Sequence, residues 1–210
     1  MTRAEALAPT DMSVLFSAID LDCGSIRGVR FELAAGERLC LGGPSGSGKT
    51  RLLRAVADLD LHSGDIRLHG RAQCEYPPHE WRRRVAMLPA ESAWWAPTVG
   101  DHMDGVDAKK LGALGLPDDA TRWPVERLSA GEKQRLALLR LTASREPEVL
   151  LLDEPTANLD PASVERVEAY LLALARERGV GMLWVTHDAA QIGRVATRAL
   201  RAADGRLESA

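Results

Sequence analysis

Three short apolar runs, each ending in glycines or leading into polar and charged residues, constrain this chain more than any other feature. They are "ERLCLGG" (37–43), "EVLLLDEP" (148–155) and "VGMLWV" (180–185), the last followed by Thr186-His187-Asp188. An uninterrupted apolar run, rather than an alternating one, marks a strand covered on both faces, as in a parallel sheet. Helical spacing lies between them. Leu52, Leu53, Val56 and Leu59 share one face after the first run. Val164, Val167, Leu171 and Leu174 share another, opened by Asp160-Pro161 as N-cap and first helical residue and closed at Gly179. Residues 132–144 predict a further helix, "GVRFEL" (28–33) a half-buried strand, "SGDIRLHG" (63–70) a hairpin strand and "RVAMLP" (84–89) a strand stopped by proline. A last helix and the hairpin "RALRAADGRLES" close the chain. Strands alternating with helices predict a largely parallel α/β sheet. Between about 90 and 127 the periodicity weakens in a stretch rich in Trp, Gly, Pro and Asp, which reads as an inserted, mainly helical subdomain.

The 210 residues suit one compact domain. A formal charge of −3 excludes bulk nucleic-acid binding, and Arg82-Arg83-Arg84 reads as a solvated face. Cys23, Cys40 and Cys74 have neither disulfide nor zinc spacing, which suggests a reducing compartment. "MTRAEALAPTDM" lacks the apolar centre of a signal peptide, and no window approaches an uncharged membrane span, so a chain acting at a membrane needs a partner there.

Gly43-Pro44-Ser45-Gly46-Ser47-Gly48-Lys49-Thr50 fits G-x-x-x-x-G-K-[ST] between a strand and a helix. Glycines let successive N–H groups turn inward onto phosphate oxygens, and the helix adds its positive end. Lys49 reaches the β- and γ-phosphates, and the Thr50 hydroxyl can ligate Mg²⁺. Asp153 emerges at a strand end, where it can hold Mg²⁺ through water. Glu154 beside it can polarise an attacking water, and His187, past another buried strand, can contact water or the γ-phosphate. "LSAGEKQRLALLR" (128–140) opens with a Ser129–Glu132 capping box. Such a helix start is also an anion site, the second in one chain.

"GPSGSGKT", "LSAGE", "EVLLLDEP", "ANLD" and "VTHD", in that order, resemble the nucleotide-binding subunit of an ABC transporter over about residues 12–208. The resemblance implies a P-loop NTPase (RecA-like) α/β core with a mostly parallel sheet and N-terminal antiparallel β strands. It places the core at about 1–89 and 147–210 and the helical subdomain at about 90–146. It also implies ATP and Mg²⁺ as cofactors. Lys49, Ser47 and Gly48 would bind phosphate, Thr50 and Asp153 would hold Mg²⁺, Glu154 would be the general base, and His187 would position water. A head-to-tail homodimer would explain the two anion sites: Ser129 and Gly131 would bind the γ-phosphate of the nucleotide held by the partner, and Asp160 would cross the seam. The implied second partner is an integral membrane permease subunit, with the chain peripheral on the cytoplasmic face of a bacterial membrane.

Two departures from the family pattern stand out. Ala90 sits where many members carry a glutamine that ligates Mg²⁺ or orients water, with Glu91 one residue late. No aromatic occupies the expected adenine-stacking region: positions 18–23 read "AIDLDC", and Phe16 comes earlier. "SAWWAPTV" (92–99) falls where the family receives a helix of the membrane subunit, so Trp94 and Trp95 are candidate anchors against a core-filling alternative. More narrowly, the chain resembles the ATP-binding subunit of small two-component bacterial systems proposed to export iron or other metals, with no regulatory domain appended. The alternatives are a soluble ABC ATPase acting without a membrane partner, and an ATP-gated module that closes but hydrolyses slowly.

Overall fold

A computed structural model describes residues 14–103, 105–144, 147–203 and 205–209. The amino-terminal stretch read for a signal peptide lies outside the described residues. The three apolar runs become adjacent parallel strands: β3 (Arg38–Gly42), β7 (Val149–Asp153) and β8 (Gly181–Val185). With β6 (Val85–Leu88), β9 (Arg198–Ala203) and β10 (Arg206–Ser209) they form one sheet in the order β10-β9-β3-β8-β7-β6. Only the β9–β10 hairpin is antiparallel. A second sheet, ordered β2-β1-β4-β5, is antiparallel throughout and comprises β1 (Val14–Cys23), β2 (Ile26–Ala34), β4 (Ser63–Leu68) and β5 (Arg71–Ala72).

Side chains alternate along each parallel strand, and both faces are buried. Leu39, Leu41, Val149, Leu151, Leu183 and Val185 point into a core shared with the antiparallel sheet and α1 (Lys49–Val56). Cys40, Leu150, Leu152, Met182 and Trp184 point into a second core. This one is filled by α4 (Ala130–Ser144) through Leu136 and Leu139, and by α5 (Pro161–Arg178) through Val167 and Leu171. Phe16 is fully enclosed in the first core, stacked on Phe31 with centroids 5.8 Å apart. It therefore has no face to offer a ligand.

Local chemistry sets the helix ends. The Asp160 carboxylate accepts the Ser163 N–H (3.0 Å), Pro161 is the first residue of α5, and Gly179 closes it in a left-handed turn. The arginine run is the last turn of α2 (Pro78–Arg84), a helix absent from the sequence reading. Arg82 and Arg84 are half-buried in ion pairs with Asp58 and with Glu80 and Glu148, so only Arg83 fits the solvated-face reading. Among the described residues between β6 and α4 the helical content is one short helix, α3 (Ala108–Ala113), and three single 3₁₀ turns. Single turns carry little periodicity. Among the described residues no helix is long and apolar enough to cross a membrane. Because β3, β7 and β8 run parallel and in register, with Leu41 beside Val185 and Val185 beside Asp153, their carboxyl ends deliver the three chemically equipped loops to one edge.

Candidate functional site

The loop from Gly43 to Thr50 bends on glycines that cannot be replaced cheaply. Gly43 has φ +127°, and a Cβ there would stand 2.5 Å from the Ala202 carbonyl oxygen. Gly48, at φ +94°, caps α1 with no side-chain acceptor, so the first N–H groups of that helix are left to another partner. Lys49 is 8% exposed. Its ammonium donates to the carbonyls of Gly43 (2.9 Å) and Pro44 (2.8 Å) and to Ser47 Oγ (3.3 Å). All three of its hydrogens are held inside the loop, where phosphate oxygens can replace those acceptors.

Opposite the loop, Thr50 Oγ1 donates to Asp153 Oδ2 at 2.9 Å. Burial pushes the Asp153 carboxyl up, the Thr50 hydrogen bond opposes this, Glu154 adds to it and Lys49 opposes it. A buried carboxylate joined to a hydroxyl, both hard oxygens facing the loop, is a donor pair suited to Mg²⁺ completed by phosphate and water. No group of three or more acidic, His or Cys side chains among the described residues could hold a metal. The pair thus fits a cation that arrives with an anionic ligand.

Glu154 adopts φ +49°, a left-handed conformation rare for a side chain of this kind, while its N–H donates to Val185 O (3.1 Å). Strain of this sort gathers at functional sites. Its Oε1 lies 3.0 Å from His187 Nδ1. That hydrogen bond, and then the Glu154 charge, raise the His187 pKa above its ordinary 6.5. Behind His187, Asp188 caps α6 (Ala189–Val195). Gln191, 2% exposed, donates to both Thr156 Oγ1 (2.8 Å) and Glu168 Oε1 (2.9 Å). Arg194 forks onto Glu168 as well, so α6 is fastened both to α5 and to the segment after Glu154.

These groups share a cleft of about 570 Å³, whose lining includes Ser45, Gly46, Gly48, Lys49, Thr50, Asp153 and Glu154. Ala90 also lines it, whereas Glu91 is exposed and does not. Gly43, Pro44 and Ser47 form the loop behind this wall, and His187 reaches the cleft through Glu154.

Ser129, Gly131 and Asp160 lie elsewhere and do not line the cleft. Ser129 and Glu132 make the reciprocal box: Glu132 Oε2 accepts from Ser129 N and Oγ (both 2.8 Å), and Glu132 N donates to Ser129 Oγ (3.2 Å). A Cβ on Gly131 would stand 3.0 Å from Leu159 Cδ2, so this helix start packs on the "ANLD" loop of its own chain. Trp94 and Trp95 part company. Trp94 packs against the second core, and Trp95 is 71% exposed. Both flank His102 edge-on at 4.9 and 4.6 Å, and Arg140 lies over both rings.

Sequence reasoning missed Ser25, Arg51, Arg54 and Asp60, all on the cleft wall. Arg51 and Arg54 follow Lys49 on the first turns of α1, and their spacing was a usable signal. Gln134, 6% exposed, was also missed; its Nε2 donates to Pro89 O at 3.4 Å and steadies the strand exit that carries Ala90.

A parallel sheet with a glycine-capped phosphate loop between β3 and α1, and acidic residues at the end of β7, defines a P-loop NTPase. The chain belongs to the ABC transporter family, whose model matches residues 26–157, and it is a nucleotide-binding domain of that family. It is 38% identical over 195 residues to the Fe(3+) ions import ATP-binding protein of Streptomyces avermitilis, covering 85% of this chain and 55% of that one. It is 38% identical over 193 residues to an aliphatic sulfonates import ATP-binding protein of Nocardia farcinica, covering 87% of this chain and 75% of the other. The chain spans about half the length of the first of these. In fold it superposes on a solved ATP-binding subunit of an ABC transporter with TM-score 0.81 at 22% identity, covering 93% and 90% of the two chains. A dimeric ATP-binding cassette solved with ADP and Pi gives 0.77 at 21%, covering 92% and 98%.

Proposed function

We propose that the chain binds and hydrolyses Mg²⁺-ATP to drive a separate membrane permease subunit. The observation that carries this reading is the convergence on one cleft of the phosphate loop, the Thr50–Asp153 pair and Glu154. Lys49 exchanges its loop acceptors for the β- and γ-phosphate oxygens, and the open N–H groups of α1 take the remaining charge. Thr50 and Asp153 would hold Mg²⁺, which would offset negative charge on the phosphates. Glu154 accepts the proton of the attacking water, and His187 fixes the direction of its carboxylate.

Ser129 and Gly131 lie off the cleft, so the reading requires a second copy placed head to tail. There they meet the γ-phosphate held by the partner, with Asp160 at the seam. Trp95 is the exposed anchor for the permease, supported from behind by Trp94 and His102. The complex then sits on the cytoplasmic face of the cell membrane. The family resemblance suggested iron or metal export. The two curated relatives above carry import names, and import is the direction we favour.

Replacing Glu154 with Gln should lower single-turnover hydrolysis by roughly 10²–10⁴-fold while leaving ATP bound. Equal rates would overturn the assignment of the base. Affinity purification from membranes should recover an integral subunit with the chain. Recovery of ribosomes or DNA alone would favour the soluble ATPase reading. A wild-type rate already as slow as that of the Gln variant would favour the slow module, which Ala90 on the cleft wall supports.

A further inference from the structure

The outer wall of the cleft has an unusual composition. Beyond the phosphate loop it is lined by Ser25, Arg51, Arg54 and Asp60, and no aromatic ring is among its lining residues. Phe16 is locked in the core. Ser25 belongs to the Gly24–Ser25 turn that joins β1 to β2, and this turn leans on the start of α1. A Cβ on Gly48 would stand 3.1 Å from Ser25 Oγ.

Arg51 crosses the same turn. A Cβ on Gly24 would stand 2.4 Å from Arg51 Cδ and 2.9 Å from its Nε, so the Arg51 side chain passes directly against the turn at Gly24. Gly24 combines φ +59° with that clearance, which reserves the position for glycine. Arg51 is exposed and makes no hydrogen bond or ion pair among the described residues. Arg54, one helical turn on, is fully engaged: its Nε and Nη2 each bond an Asp60 carboxylate oxygen at 2.9 Å. One arginine is fixed by a bidentate pair, and its neighbour feels the Asp60 charge without bonding it.

The cleft continues from Lys49, Thr50 and Glu154 to Ser25, Arg51 and Asp60, so a nucleotide with its terminal phosphates at the loop would have room for its base beside this turn. We infer that the Arg51 guanidinium, laid against the Gly24–Ser25 turn, is the stacking platform for the nucleobase, in place of an aromatic ring. A guanidinium is planar, delocalised and weakly hydrated, and it stacks on π faces. A plane reads no base edge. Asp60, the one carboxylate at this end of the lining, is fixed by Arg54 through both oxygens, which uses half of its acceptor capacity and leaves it unable to swing toward the N–H groups of a guanine. Discrimination of several orders of magnitude requires buried polar groups matched to a base edge. The site should therefore accept adenine and guanine nucleotides with similar affinity. This inference rests on the nucleotide reading above.

The test is calorimetric titration with ATP, GTP and inorganic tripolyphosphate, each with Mg²⁺, of wild type, Arg51→Ala, Arg51→Lys, Arg51→Trp and Lys49→Ala. Wild type should bind ATP and GTP within about threefold. Arg51→Ala should weaken both by roughly tenfold and tripolyphosphate by less than twofold. Arg51→Lys, which keeps the charge and loses the plane, should resemble Arg51→Ala, and Arg51→Trp should restore nucleotide affinity. Equal losses for tripolyphosphate and nucleotides would make Arg51 a phosphate contact and overturn the stacking role. So would full affinity in Arg51→Lys, or no change in Arg51→Ala. If Lys49→Ala binds ATP as wild type does, the nucleotide reading itself fails, independently of Arg51.

Discussion

Two helix starts in this chain carry motifs read from the sequence as anion sites, and they are finished differently. At α1 the cap is Gly48, which offers no side-chain acceptor, and a buried lysine stands behind the open N–H groups. At α4 the cap is Ser129, and Glu132 returns its own carboxylate to the Ser129 N–H and hydroxyl. The first start is left for a ligand to complete. The second supplies its own anion and is exposed. On the proposed reading the contrast would let one chain carry two such motifs without two nucleotides: one would grip, and the other would meet what a second copy presents.

The comparison can be broken at each end. Lys49→Ala should weaken ATP binding by about ten- to a hundredfold, since a charge-assisted hydrogen bond contributes ~1.5–3 kcal/mol. Calorimetry on the isolated chain measures it, and an unchanged affinity would remove the distinction between the two starts. Ser129→Ala should leave that affinity within twofold, yet weaken ATP-driven dimerisation by about tenfold in sedimentation. Loss of the cap should also cost about 1 kcal/mol of stability. If monomer affinity fell instead, Ser129 would belong to its own chain's site.

Glu132→Gln sharpens the contrast further. It keeps an acceptor for Ser129 and removes a negative charge, so closure on ATP should need a few-fold less nucleotide at low salt. An unchanged midpoint would mean that Glu132 does not face the partner's phosphates. The smallest effect concerns His187. Its folded pKa is raised, so the Glu154–His187 pair adds stability fully present below the ordinary value of 6.5 and lost as pH rises through the folded value. NMR titration of the His187 ring should show its pKa move down in Glu154→Gln. A pKa that did not move would detach the pair.

Legibility followed the distance over which each feature is encoded. The phosphate loop, the ends of β7 and β8 and the Asp160 cap are short-range patterns, and the structure carries each at its expected position. α4 begins at Ala130, two residues early, because the box at Ser129 sets its start. The outer end of the cleft, at Ser25 and Arg51, was not legible. Ser25 and Arg51 are 26 positions apart and meet only because the antiparallel sheet packs over α1. Trp94 and Trp95 adjoin in sequence and share His102 and Arg140 yet differ in burial, in a stretch of single turns where no periodicity tells inside from outside. Arg82 and Arg84 resembled a solvated run because their partners, Asp58 and Glu148, lie in distant parts of the chain.

The left-handed turn at Glu154 has a cost outside catalysis. A side chain held at φ +49° gives up about 1–2 kcal/mol that glycine at the same position would not. For thermal endurance alone, the carboxylate is the wrong occupant of that turn. A screen for heat resistance blind to turnover should favour glycine at this position over Glu154.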